Sequence, residues 1–131
     1  MRIEPEIKLN YEDVLLKPKR STLSSRRDVD MTREFKFRHS GETYKCCPII
    51  ASNMDGVGTF SMAKVLQNYK MMTTITKTTT LGEWQQAVGS GIKLKYLSVC
   101  SGTNKLWTDE AEDYITMQKV LKSFPDVKFI T

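Results

Sequence analysis

The run 48–63, PIIASNMDGVGTFSMA, constrains this chain more than any other stretch. It reads as a buried strand, a polar loop punctuated by glycine, and an amphipathic helix. Pro48-Ile49-Ile50-Ala51 is short and apolar, as expected of a strand covered on both faces. Ser52, Asn53, Met54 and Asp55 follow at its carboxyl end, where α/β folds hold their ligands. Gly56 and Gly58 allow a sharp turn, and Thr59 is placed to cap the helix.

The same unit recurs downstream. Strands are expected at 48–51, 71–75, 96–99 and 127–130, with a helix between each pair. In the first helix Met62, Leu66 and Tyr69 share one face and should meet the sheet. Thr80 and Glu83 have capping-box spacing at the start of the second. The third should run over 109–124, with Tyr114, Met117, Leu121 and Phe124 on one stripe. Asp109, Glu110, Glu112 and Asp113 lie at its start, Lys119 and Lys122 near its end, and Pro125 stops it. Such alternation predicts parallel strands joined by right-handed crossovers. Upstream, Phe35 and Phe37 alternate with Lys36 and Arg38, and Gly41 and Thr43-Tyr44-Lys45-Cys46 follow, which predicts a small hairpin. Residues 1–33, broken by Pro5 and Pro18, read as an irregular arm. On count alone, four strands and three helices fit half of an eightfold barrel or an open flavodoxin-like sheet equally well.

Charge is concentrated in one place. The chain carries a net +5, and residues 17–38 hold eight basic side chains against three acidic ones, leaving the remainder neutral. A cationic arm on a neutral body is either a solvated face or a docking strip for a polyanion. Aromatic residues do not interleave the cations at 17–33 and no nucleic-acid motif is present, which disfavours nucleic acid as the partner. No apolar run approaches the roughly 20 residues of a membrane span, so a cytoplasmic protein is expected. Cys46, Cys47 and Cys100 lack metal-ligand spacing and read as reduced, hydrophobic thiols, and His39 is the sole histidine, so no metal site is expected. Trp84 and Trp107 read as packing aromatics.

Four segments together carry a resemblance: LNYEDVLLKPKRSTLSSRRDVD at 9–30, REFKFRHS at 33–40, PIIASNMDGVGTFSMA at 48–63, and Lys77 within TITKTTT. In order and spacing they resemble the guanosine-monophosphate (GMP) reductases, within the wider inosine-monophosphate dehydrogenase and GMP reductase family. Thr76 and Thr78 stand where the reductases usually carry histidines, and Gly56 where they commonly carry threonine. The resemblance implies the amino-terminal half of a TIM (β/α)₈ barrel: a basic arm and hairpin over 1–47, then the first βα units over 48–131.

It also implies an activity, the NADPH-dependent reductive deamination of GMP to inosine monophosphate (IMP) and ammonia through a cysteine thiolate. The family's nucleophilic cysteine loop and monovalent-cation site fall beyond residue 131, so these residues alone are expected to be inactive. Ser25 and Arg26 match the family's cofactor contact. Read without the resemblance, Arg26 is a solvated surface cation. Lys77 matches a lysine beside the cofactor and reacting centre, and is otherwise a snorkelling strand-end lysine. Ser52, Asn53 and Met54 match positions that pack on the purine nucleotide. Asp55 either orients a base or bonds its own turn, and Ser101-Gly102-Thr103 forms a further loop on the same side. The implied partners are GMP and IMP, a complementary chain completing the barrel, and a homo-oligomer like the family's tetramers. Two other roles remain open: a non-catalytic partner or regulator of full-length reductase, and a small nucleotide- or nucleic-acid-binding domain.

Overall fold

The computed structural model describes residues 5–103 and 112–131, in two units, Met1–Asp30 and Met31–Thr131. The expected start of the third helix at Asp109 and Glu110, and Trp107, lie outside the described residues.

The first unit is the irregular arm the prolines predict. Its regular structure among the described residues is two single 3₁₀ turns, Tyr11–Asp13 and Arg26–Asp28. Each is closed by an aspartate reaching back to a backbone amide: Asn10 N donates to Asp13 Oδ2 at 2.8 Å and Ser25 N to Asp28 Oδ2 at 3.1 Å. Local side-chain bonds of this kind hold a turn without any core.

The second unit opens with the expected hairpin. Strands β1 (Arg33–Lys36) and β2 (Thr43–Cys46) pair antiparallel, from Arg33↔Cys46 to Lys36↔Thr43. The reversal is closed by Phe37 N to Glu42 O at 2.9 Å, with Gly41 at φ +70°, where a side chain would be strained.

Four parallel strands follow: β3 (Ile50–Ala51), β4 (Met72–Thr74), β5 (Leu97–Val99) and β6 (Phe129–Ile130), in spatial order β3-β4-β5-β6. Each strand lies beside its successor in sequence. A flavodoxin-like sheet reverses direction partway and places its second strand outside its first, so that alternative is not the observed topology. Helices α1 (Phe60–Leu66), α2 (Leu81–Gly89) and α3 (Glu112–Ser123) form the crossovers.

The core lies between helices and sheet, where Ala63, Ile75, Trp84, Leu97, Val99, Met117 and Val120 form one cluster. Trp84 is 1% exposed and meets Phe60 edge-on at 5.2 Å and Phe124 stacked at 6.3 Å, the packing role expected of it. The capping box is present as read: Thr80 N donates to Glu83 Oε2 at 2.7 Å and Glu83 N to Thr80 Oγ1 at 3.3 Å.

Three expectations need correction. The first strand is not covered on both faces: Ile50 is 59% exposed, because β3 lies at the sheet's edge with β4 as its one neighbour. Tyr69 does not face the sheet. The α1 helix tightens into a 3₁₀ turn at Gln67–Tyr69 and ends on left-handed Lys70 at φ +58°, which swings Tyr69 outward to 65% exposure. Ala63 is the buried residue of that helix, with Phe60 packed against the core. In α3 the expected residues Tyr114, Met117, Leu121 and Phe124 do contact the core, but the deepest is Val120, which the stripe omitted.

Candidate functional site at the carboxyl ends of the strands

Parallel strands deliver every βα loop to one edge of the sheet, so the candidate residues that follow β3, β4 and β5 share an end. Gly58 brings the first of these loops close. A Cβ there would collide with the carbonyl oxygen of Thr74 and lie 2.9 Å from that of Ser52, and Thr76 N donates to Gly58 O at 3.1 Å. The bare glycine thus lets loop 52–59 lie against the end of β4.

Within that loop, Val57 N and Gly58 N both donate to Met54 O, at 3.0 and 2.8 Å. The turn is closed by backbone, and the Asp55 carboxylate takes no part in those two bonds. Gly56 adopts φ +78°, a conformation that disfavours the threonine the resemblance would place there. Ser52, Met54 and Asp55 are exposed. Asn53 crosses to the end of β5, its Nδ2 donating to Cys100 Sγ at 2.8 Å. Cys100 is buried, as are Cys46 and Cys47, and all three are free thiols. Burial, with the neighbouring Cys47 second, pushes the Cys46 thiol up, away from the thiolate form.

The second loop holds Lys77. Thr79 N donates to Thr76 O at 3.1 Å, and the two hydroxyls link at 3.0 Å, with Thr78 Oγ1 donating to Thr76 Oγ1 at 3.4 Å. Thr76 and Thr78, at positions where the resemblance would place histidines, therefore tie the turn locally. Lys77 itself is 55% exposed, with Nζ 4.0 Å from Asp113 Oδ2. Asp113, 25% exposed, also accepts from Gly102 N at 2.8 Å and, through Oδ1, from Tyr114 N at 3.1 Å. The Gly102 amide chiefly, then the Tyr114 amide and the Lys77 ammonium, hold the Asp113 carboxyl below its usual range.

Beneath these loops lies a polar layer. Leu97 and Val99 join the helix-facing core, so Ser98 between them turns to the opposite face. There it meets Thr131 at 2.7 Å, hydroxyl to hydroxyl, and Thr131 also approaches Thr74 at 3.5 Å. Sequence reading singled out neither this layer nor Asp113 as part of the site. Their contacts join residues far apart in sequence, which no local spacing signals.

Ser25 and Arg26 belong to the other unit. Ser25 Oγ accepts from Arg27 N at 3.2 Å, and Arg26 opens the exposed 3₁₀ turn. Lys77 and Asn53 share an end of the sheet, but their tethers run to different partners, α3 and the end of β5. A cavity of about 990 Å³ lies at the other end of the strands, lined by Phe37, Tyr44, Leu94, Lys95 and Phe129 among others. Its walls are the hairpin and the segments that precede β5 and β6, so it is remote from the loop end where α/β proteins do chemistry. Among the described residues no group of three or more His, Cys, Asp or Glu side chains is placed to hold a metal ion, and no helix is long and apolar enough to cross a membrane.

No protein-family profile matches the chain. Individual relatives do. Human GMP reductase 2 is 45% identical over 129 residues, which is 98% of this chain and 35% of that protein. The GMP reductases of Tolumonas auensis and Edwardsiella ictaluri are 46% and 43% identical over 132 residues, 99% of this chain and 36% of each relative. The chain thus spans about a third of the length of the curated relatives it matches. By sequence it is similar to the GMP reductases over the amino-terminal portion of their length.

Proposed function

We propose that these residues form the amino-terminal part of an NADPH-dependent GMP reductase, the first half of a (β/α)₈ barrel with its cofactor-binding arm. The observation that carries the reading is the similarity to GMP reductases over 98% of a chain whose βα loops gather Asn53, Lys77 and Gly102 at one end of a parallel sheet. Sequential strand order supports the barrel, and β3 and β6 each have one neighbour in the sheet, leaving an edge for further strands.

The residues present suit the implied cofactor in chemical type. Arg26, exposed on its turn, offers a planar fork for the phosphate that distinguishes NADPH from NADH, and Ser25 fixes the turn that presents it. Lys77 offers a solvent-accessible ammonium for phosphate or developing charge. NADPH, when bound, supplies the hydride. Ser52, Asn53 and Met54 would bind and orient the purine nucleotide, with Asn53 steadied by Cys100.

These 131 residues do not turn GMP over by themselves in this reading. Cys46, Cys47 and Cys100 are all buried, and Cys100 is engaged by Asn53, so none is an open nucleophile. A complementary chain or further residues would complete the barrel, in a cytoplasmic homo-oligomer. Fluorescence titration of the 131-residue protein tests the reading. NADPH should bind in preference to NADH, more weakly as salt rises, and roughly tenfold more weakly in Arg26→Ala. Equal affinity for the two dinucleotides, unchanged by the substitution, would overturn the cofactor assignment. NADPH oxidation dependent on GMP would overturn the claim of inactivity.

A further inference from the structure

We infer that Asp113 is a positioning residue for Lys77, tying the loops after the second and third strands of the parallel sheet into one unit. The inference rests on Lys77 acting in the proposed site. Three observations support it.

Asp113 Oδ2 faces two groups at once, the Gly102 amide at 2.8 Å and the Lys77 ammonium at 4.0 Å. A Cβ at Gly102 would lie 2.9 Å from that oxygen and 3.4 Å from Lys77 Nζ, so the space at Gly102 is fitted to the pair. And Asp113 is better enclosed than its partner, at 25% exposure against 55%, so the carboxylate is the fixed member and the ammonium the arm it holds. Its place at the start of α3, where the helix dipole favours negative charge, fixes it further.

A lysine on a four-carbon stem loses considerable rotamer freedom when held in one geometry. A carboxylate that is itself immobilised by two backbone amides can hold it in advance, so that a ligand need not. Gly102 gains too: its amide is fixed by Asp113.

Asp113→Asn separates the electrostatic tether from the structural one. Asparagine keeps an oxygen that can accept from Gly102 but brings no charge to Lys77. In the 131-residue protein, side-chain relaxation at Lys77 Cε should report a more ordered lysine than at Lys119, an exposed lysine of α3. In Asp113→Asn that order should fall to the Lys119 level while the Gly102 amide resonance and the melting midpoint at pH 7 stay close to wild type. Asp113→Glu should restore part of the order.

NADPH affinity should fall about three- to fivefold in Asp113→Asn, as for loss of one part-exposed ion pair. It should fall no further in Asp113→Asn combined with Lys77→Met than in Lys77→Met alone. A Lys77 as mobile in wild type as Lys119, or unaffected by Asp113→Asn, would overturn the inference. Additive losses of affinity would do so as well. If NADPH does not bind at all, the cofactor reading falls, while the relaxation measurement still decides the tether.

Discussion

The two ends of the parallel sheet are held by different physics. At the amino-terminal end, rings do the work: Phe129 meets Phe37 at 5.5 Å and Tyr44 at 4.8 Å, and Tyr44 meets Tyr96 at 6.5 Å. A short polar bond there, Tyr44 Oη to Lys95 O at 2.6 Å, satisfies a phenol that burial drives well above its ordinary pKa. At the carboxyl end the cement is polar and specific, with hydroxyl contacts around Thr131, the Asn53–Cys100 bond and the bonds to Asp113. Aromatic packing tolerates small shifts and is indifferent to pH. Directional bonds fix atoms in place and respond to charge, as a site requires.

The largest effect should come from Gly58→Ala at the polar end. The added methyl collides with the Thr74 carbonyl and sits 2.9 Å from that of Ser52, both backbone atoms, so relief requires the loop or strand to move. A loss of about 3 kcal/mol or more in chemical denaturation is expected, the upper range for over-packing. A near-neutral result would mean that loop 52–59 is not seated on β4 as described.

Phe129→Ala probes the other end. Phe129 is only partly buried, so the cost should be about 2 kcal/mol, below the 3–5 typical of enclosed rings. The contrast sharpens if the Gly102–Asp113 bond survives this substitution, read through the Gly102 amide resonance. If that resonance moves as far as in Asp113→Ala, which removes its acceptor, the two ends are not independent.

How much of this was legible in sequence depends on how far apart the interacting residues lie. The hairpin, the capping box, the packing role of Trp84 and the order of βα units all follow from local spacing, and the structure bears them out. The face presented by Tyr69 was misread because 3.6-residue periodicity assumes the helix continues, whereas it tightens at Gln67. Burial of the first strand was misread because hydrophobic composition does not reveal an edge. At the site, individual residues were nameable, but their partners were not. Asn53 and Cys100 are 47 positions apart, and Lys77 and Asp113 are separated by α2 and β5. Asp113 looked like one more acid at a helix start, and only the fold gives it Gly102.

A smaller effect is expected from Thr80→Ala, which removes one half of the box that starts α2 just beyond the Lys77 loop. The Glu83 amide loses its acceptor and Glu83 Oε2 one of its two donors, the Thr80 hydroxyl at 2.8 Å. About 1 kcal/mol should be lost by thermal melting, typical of an N-cap. Thr80→Ser should recover most of it, since serine keeps the hydroxyl. A loss equal in both variants would point to the threonine methyl rather than the cap.

The smallest effect, and the one most particular to the polar end, is the pH dependence of Asp113. Its carboxyl is depressed in the folded chain relative to the unfolded one, chiefly by the Gly102 amide. The stability this contributes is therefore fully present above the unfolded value, near 4, and is lost as pH falls through the lower folded value. The melting midpoint of wild type should exceed that of Asp113→Asn by a small, constant margin from pH 5 upward, and the margin should close below about pH 4. Glu83, depressed by its bonds to Thr80, titrates in the same direction, so the difference between wild type and Asp113→Asn is the informative quantity rather than the slope of either. Phe129→Ala contains both carboxyls and should track wild type at every pH with a fixed offset. A margin that instead stays constant to pH 2 would show that Asp113 acts there as a neutral hydrogen-bond acceptor, and that its charge does nothing for the fold.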